Sequence, residues 1–427
     1  MKLVDKMKLA IRQTIVFFVL LSVFSVLMIS VHLISHESIK GQCEESAKTL
    51  QEEGLAPQIL GIPLLKIDTF TDALMLNMAF CADEKQPVKS AFTNSFYTDD
   101  EMNVYDRTLE LILSENKNAG GYEKEYARYW HGHQTVLRPL LTVLSYRQII
   151  VLNCIVFFLT ALLCLALVWL RLSSKLAMLM LASLLIVGLP VVPLCLQFST
   201  CFYLMFLSMT AILAWPSLTN NSVAAACTFF VIGGLTSFFD LLTTPLLTLG
   251  FPLTICLLIN RKWQSVRQII RLSAWWFSGY ALLWLSKCLV SLLLTGNNVI
   301  SDFMTNATTR SLAGVYSLKE LLANQFGTQI AIGICLGIVV AILLFIGLAV
   351  ACWKHIKKQP ASKRHSWLLL IALMVPLWLV ATLQHAVVHY WFVWRALAVS
   401  FFAIFTYLYY TKTFDHEKDS RNHSLLQ

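Results

Sequence analysis

The feature that most constrains this chain is a ladder of apolar runs, each about as long as a bilayer is thick. A helix needs about 20 apolar residues to cross the hydrocarbon core, and it must pair its own backbone groups there. Ten such segments can be drawn, at about 14–35, 149–170, 176–196, 202–215, 222–239, 241–260, 272–294, 328–352, 367–383 and 392–411. The fourth is short, and the fifth and sixth nearly touch. Charged residues make up 13% of the 427 positions and hydrophobic ones 57%, where a soluble domain carries about 25% charge. The expected fold is therefore an all-α polytopic membrane protein with about ten transmembrane helices. The first run, Ile15 to Ile34, is too long for a signal-peptide core and reads as a retained helix.

The formal net charge of +9 does not point to nucleic acid, because the cations sit in short tracts between apolar runs. Lys2, Lys6, Lys8 and Arg12 precede the first run, and Arg171 and Lys175 follow the second. Arg261, Lys262, Arg267 and Arg271 link the sixth and seventh. Lys354, Lys357, Lys358, Lys363 and Arg364 link the eighth and ninth, and Lys412 follows the tenth. With ten spans, the positive-inside rule puts every tract and both termini in the cytoplasm. The expected organisation is a cytoplasmic N-terminus (1–13), a first span (14–35), an extracytoplasmic segment (36–148), a bundle of about nine helices (149–411) and a cytoplasmic tail (412–427). The location implied is a cell membrane, with a bacterial plasma membrane favoured.

The segment 36–148 is too polar to span and too long to be a simple connection. Its stretches "IDTFTDALMLNMAF" and "MNVYDRTLELILSE" predict amphipathic helices lying on the membrane surface. Cys43 and Cys81 fall in this segment, either as a disulfide on an oxidising side or as two free thiols. No CxxC pair or zinc spacing is present.

Several polar groups gather on the extracytoplasmic side of this topology. Asp68 and Asp72 share one face of a helix. They fit a general base with a raised pKa, a shared divalent cation (Mg2+ or Mn2+), or a solvated face with Asp68 as a cap. Asp99, Asp100 and Glu101 read as an acidic helix start. Asp240 lies between two apolar runs, either as a carboxylate at membrane depth or as a turn residue ahead of Pro245. Lys287 is embedded in "GYALLWLSKCLVSLLL", where it either snorkels or meets a phosphate. His385 and His389 are spaced for one helical face, and Arg395 follows them. They suit a metal or, equally well, an anionic or sugar ligand. Arg128, Trp130, His131, His133 and Arg138 crowd the approach to the second span, and Arg310 adds a cation on the same side. Interfacial anchoring is the plainer account of such aromatics and cations. Asn306 begins a glycosylation sequon, relevant only in a glycosylating lumen.

With "ARYWHGHQTVLRPLLTVLSYRQIIVLN" leading into the second span, the layout resembles the GT-C superfamily of integral-membrane glycosyltransferases. That resemblance implies a large first extracytoplasmic loop carrying surface helices and an essential Asp beside the lipid. It implies transfer of a sugar from a polyprenyl-phosphate donor to a cell-envelope acceptor, which is a glycan, lipid or protein. By the resemblance Asp72 is the catalytic Asp, with Asp68 second. Lys287 and Arg310 stabilise the leaving phosphate, and Trp130 and His131 line the sugar pocket. The chain departs from the family in having no acidic pair directly after its first span. The alternative is a non-enzymatic transporter or flippase of a lipid-linked glycan. Transporters often show internal repeats and charges at the bilayer midplane, whereas here the charges cluster at one face and no repeat is visible.

Overall fold

The computed structural model describes residues 3–114, 121–296, 299–301, 304 and 365–424. The expected eighth span, most of the loop 295–327 with its sequon, and Arg310 lie outside them. Among the described residues the fold is helical, and six helices are long and apolar enough to cross a membrane: Leu9–His32, Tyr146–Arg171, Leu196–Ala214, Ser222–Phe239, Val266–Thr295 and Tyr390–Thr411. Three shorter apolar helices, Ser174–Ile186, Leu246–Ile259 and Trp367–Ala381, accompany them. The nine expected segments within the described residues are thus all helical.

Their boundaries shift for local reasons. Helix α1 is Leu3–His32 and α7 is Tyr146–Arg171, at whose start the Ser145 N–H donates to the Gln148 side chain (2.9 Å). The segment expected at 176–196 is only α8 (Ser174–Ile186). Gly188 (φ 77°), Pro190 and Pro193 turn the rest into a two-turn 3-10 stretch, Leu189–Leu194. Helix α9 then starts early, at Leu196–Ala214. Asn221 caps α10 (Ser222–Phe239), and Asp240 ends it and delays α11 to Leu246–Ile259. Ser265 caps α12 (Val266–Thr295). α10 and α12 pack backbone to backbone. A Cβ on Gly233 would lie 1.9 Å from the Trp276 carbonyl oxygen, and one on Gly279 would lie 2.0 Å from that of Phe230. Only glycine permits this approach. The C-terminal elements are α13 (Trp367–Ala381), the short α14 (Leu383–Val388) and α15 (Tyr390–Val393), and α16 (Ala398–Ser424).

The segment between α1 and α7 folds as a small domain. It comprises α2 (His36–Glu53), α3 (Thr69–Cys81), α4 (Pro87–Thr93), β1 (Phe96–Thr98), α5 (Val104–Ser114), β2 (Tyr122–Lys124) and α6 (Gln134–Leu140). The two strands pair antiparallel. Both predicted amphipathic stretches form helices, but α3 does not lie on a surface. Every residue from Ala73 to Phe80 is buried, and α3 is the centre of the domain core with Ile39, Leu50, Leu109 and Ile112 around it. The sequence explains this: "ALMLNMAF" is apolar on all sides, and its one polar member, Asn77, spends its amide on the Tyr97 carbonyl and the Thr108 hydroxyl. Cys43 and Cys81 are free thiols.

Candidate functional site

The start of α9 organises the polar groups. Every other long span from α7 to α12 has its own Ser or Asn at the N-cap, whereas α9 begins after Cys195, whose side chain caps nothing. The unpaired N–H groups of a helix start favour a negative partner. Asp72, carried in by α3, supplies it. Its Oδ2 accepts from the Leu196 N–H (3.1 Å) and the Tyr146 hydroxyl (2.8 Å), and its Oδ1 from the Gln197 N–H (3.4 Å) and the Cys195 thiol (3.5 Å). Burial raises its pKa to about 7, against the pull of the Leu196 N–H and Tyr146; the nearby Asp68 raises it further. Asp68 is the N-cap of α3. Its two oxygens accept from the Thr71 N–H (3.0 Å) and hydroxyl (2.9 Å), and burial raises its pKa as well. The two carboxylates thus answer to different donors. Among the described residues no group of three or more metal-ligating side chains stands together.

Arg395, His385, His389 and Asp240 reach the same end of α9. The Arg395 guanidinium lies 4.6 Å over the Phe198 ring, within electrostatic reach of Cys195. It is 1% exposed and donates to the Trp391 carbonyl, yet its Nε and Nη2 have no acceptor among the described residues. Phe392 contacts Phe198 and stacks on His389, whose ring is 4.7 Å from that of His385. His385 Nε2 meets the Leu242 carbonyl at 2.9 Å. Leu242 itself holds a positive φ of 66°, a conformation that a branched residue keeps only under constraint. Asp240, 1% exposed, accepts from the Thr243 N–H (2.8 Å) and hydroxyl (2.5 Å) through Oδ1, while Oδ2 has no donor at full hydrogen-bond geometry among the described residues, although the Cys201 thiol of α9 and the Leu242 N–H lie beside the carboxylate. Buried polar atoms without partners are uncommon in native folds and call for an explanation such as a bound water, ion or ligand.

The residues approaching α7 form a second cluster, on α12 and α1. Trp130, fully buried, donates its indole N–H to the Leu283 carbonyl (2.9 Å), and Trp284 donates to that of Arg128 (2.8 Å). Lys287 donates to the carbonyls of Phe92 (2.6 Å) and Ala91 (3.2 Å), and its ammonium lies over the Phe92 and Trp130 rings. It therefore caps the C-terminal end of α4. Arg138 donates to Val31 (2.9 Å), Ile34 (2.7 Å) and Ala79, tying the ends of α1 and α3 together. Burial lowers its pKa to about 10. Arg128 lies over Tyr126 and Tyr129. His131, at φ 56°, meets the Tyr126 carbonyl, and its pKa is lowered, first by burial and then by His133. Burial alone lowers that of His133 to about 3. The clusters join at Phe238, which contacts Trp130, accepts from the Gly132 N–H (2.8 Å) and precedes Asp240 by two positions.

Asp68, Asp72, Asp240, His385, His389 and Arg395 are thus brought together, while Arg128, Trp130, His131, His133, Arg138 and Lys287 stand apart from them. The sequence reading missed Tyr146, Cys195 and Gln197, whose side-chain Oε1 is also buried without a partner. Tyr146 looks like an interfacial aromatic at the start of an apolar run, and no local signal separates it from one.

Neither Asp68 nor Asp72 lines the cleft beside Tyr146 or the cleft at His36. Tyr146, however, lines a cleft of about 320 Å³ together with Glu53, Pro57, Ile67, Arg147 and Leu194. Ile150 and Val151 complete its floor. They begin the face of α7 that stays uncovered, since only 22% of that helix's apolar window is buried. A larger cleft of about 590 Å³ lies on the small domain between His36, Asp83, Lys85, Lys89 and Glu123. Compared with known families, curated proteins and solved structures, the chain matches none.

Proposed function

We propose that this protein is a GT-C-like membrane glycosyltransferase, moving a sugar from a polyprenyl-phosphate donor to an acceptor hydroxyl on the extracytoplasmic face. The observation that carries the reading is the Tyr146–Asp72 pair. A carboxyl held near neutral pKa stands one hydrogen bond behind the wall of a cleft whose floor runs into a lipid-facing helix. A polyprenyl chain would lie along α7, with its phosphate beside Arg147. The acceptor oxygen attacks the anomeric carbon as the bond from that carbon to the phosphate oxygen breaks. The acceptor proton passes through the Tyr146 hydroxyl to Asp72, and polyprenyl phosphate leaves with its added negative charge. Arg147 at the cleft, and Arg395 with its unused N–H donors, suit that charge, which grows in the transition state. In this reading Lys287 is a positioning residue that holds α4. A carrier of lipid-linked glycans is the competing reading. The placement of the six convergent residues at helix ends, rather than at span centres, favours the enzyme.

The test is Asp72→Asn in reconstituted protein supplied with a labelled polyprenyl-phosphate sugar. Asn keeps an acceptor for the start of α9 and removes the base. Transfer should fall at least about 10²-fold with membrane insertion unchanged. Transfer within a fewfold of normal would remove Asp72 as the base, and movement of intact donor across the bilayer without transfer would support the carrier.

A further inference from the structure

Residues 54–69 form a closed loop whose tip is left uncovered by the described residues. Its base is pinned. The Thr69 hydroxyl donates to the Gly54 carbonyl and accepts from the Ala56 N–H (2.7 Å), the Ile67 N–H donates to the Pro57 carbonyl (2.9 Å), and Gln58 bridges Lys66 antiparallel. Between these ties the chain makes two 3-10 turns, Ile59–Gly61 and Pro63–Leu65, in which no residue is buried. The tip presents Leu55, Leu60, Ile62 and Leu64, and Leu60 is 87% exposed. Leu60 also adopts φ 55°, so the turn that projects it is made at a leucine rather than at a glycine. A pinned loop that projects leucines into water would be a liability.

What lies beside the loop identifies its occupant. Pro57 and Ile67, at its base, share the cleft with Ile150 and Val151 at the start of α7. From there the uncovered face of α7 continues through Val151, Ile155, Leu159 and Leu162, each more than half exposed. On its other flank, a Cβ on Gly188 would lie 2.9 Å from the Leu65 side chain, and Gly188 follows the exposed Leu185 and Ile186 at the end of α8. Lys66, where the loop returns, sits over the Trp391 ring at 4.2 Å, a cation-aromatic pair of the kind found at headgroup level. The apolar tip is therefore continuous with the lipid-facing surface of two helices and bounded by an interfacial pair.

We infer that the tip, residues 59–65, dips into the acyl region of the leaflet on the small domain's side and holds the mouth of the Tyr146 cleft at the bilayer surface. This does not depend on the chain being an enzyme. The test uses the full-length protein in phosphatidylcholine nanodiscs, with a polarity-sensitive fluorophore on Leu60→Cys and, separately, on Leu64→Cys. The unsubstituted chain serves as the labelling blank and exposed Glu101→Cys as the aqueous reference. Both loop probes should emit to the blue of the Glu101 probe. A nitroxide placed high on the acyl chain should quench them severalfold more than aqueous iodide does, with the order reversed at Glu101. Iodide quenching equal to that at Glu101 would put the tip in water and overturn the inference. Quenching by neither agent would put protein over the tip, and would overturn it equally.

Discussion

The two buried polar clusters differ in how their hydrogen bonds are spent. Around α12 and α1, the charged groups answer backbone. Arg138 uses all three kinds of guanidinium nitrogen on carbonyls of α1, the turn after it and α3, and Lys287 uses two donors on the end of α4. Around the start of α9, among the described residues, Arg395 keeps two nitrogens unengaged, and Asp240 and Gln197 each keep an oxygen unengaged. A buried charge costs several kcal/mol unless it is hydrogen-bonded, so Arg138 and Lys287 are accounted for by the fold alone and Arg395 is not, although His131 Nδ1 and Gln134 Oε1 in the first cluster also lack a partner among the described residues. The comparison teaches that burial of a charge in an apolar run, which drew attention to Lys287, separates structure from function poorly. The hydrogen bonds that the cation itself makes are a better guide, and they set Arg395 apart from Arg138 and Lys287.

The largest effect expected from this contrast falls on the saturated cluster. Arg138→Met leaves three carbonyls without donors at the junction of α1 and α3. At about 1–3 kcal/mol for each unsatisfied buried group, the loss is comparable to the whole stability of many domains. Folded protein recovered in mild detergent should drop sharply. Normal yield would mean that the junction does not depend on the Arg138 contacts.

Arg395→Gln tests the other cluster. It removes a buried charge that the fold does not use fully, so the thermal midpoint should stay within a few degrees, corresponding to about 1 kcal/mol or less. Sugar transfer should fall about 10²-fold, within the range for loss of one preorganised electrostatic donor. A large drop in the midpoint with transfer per folded molecule intact would reverse the assignment of the two clusters.

Lys287→Met sits between these cases. Removal of the ammonium strips the Ala91 and Phe92 carbonyls of charged donors, although Ser291 still donates to Phe92 at 2.6 Å. The expected cost is about 2–3 kcal/mol, visible as a lower melting temperature. Transfer per folded molecule should stay within severalfold of normal. A collapse in turnover at unchanged stability would return Lys287 to the phosphate-binding role that its place in the sequence suggested.

These cases also mark what the sequence could carry. Apolar run length reports directly on helices, so nine expected segments appear as helices, with errors where Gly188 and the neighbouring prolines break a run. Asp68 as a cap was legible because Asp is a favoured N-cap residue just ahead of a helical stretch. Asp72 was legible as an acid one helical turn from Asp68, but neither its burial nor its partners were, since Leu196 is 124 positions distant and Tyr146 is 74. Lys287 and Phe92 are likewise 195 positions apart. Side-chain identity at one position cannot reveal which helix end another segment will bring to it. For the same reason "ALMLNMAF" read as a membrane-surface face: its apolar character was plain, but the helices that enclose it lie elsewhere in the chain.

The smallest expected effect is a shift in the pH limb of activity on Tyr146→Phe, and it tests the link between the Asp72 helix cap and the proposed chemistry. Burial lifts the Asp72 pKa from the 3.8 of an ordinary carboxyl to about 7. The folded state therefore holds a proton that the unfolded state has released. The stability attached to that proton is full below about pH 4 and is lost as pH rises through about 7, a difference of roughly 4 kcal/mol at most, taking about 1.4 kcal/mol per pH unit. Activity runs the other way, because a base must be ionised, so transfer should rise along a limb centred near pH 7. Tyr146→Phe removes one hydrogen bond to the carboxylate and leaves the Leu196 and Gln197 N–H groups in place. A bond that favours the charged form lowers the pKa, so its loss should move the limb to higher pH by about one unit or less and leave folding intact. A relay through the phenol predicts more, namely that the plateau of transfer above the limb also falls. A shifted limb with an undiminished plateau would keep Asp72 as the base and dismiss Tyr146 as its relay. An unshifted limb would mean that the group titrating in the reaction is not the carboxylate at the start of α9, and Asp240, with its unengaged oxygen, would take its place.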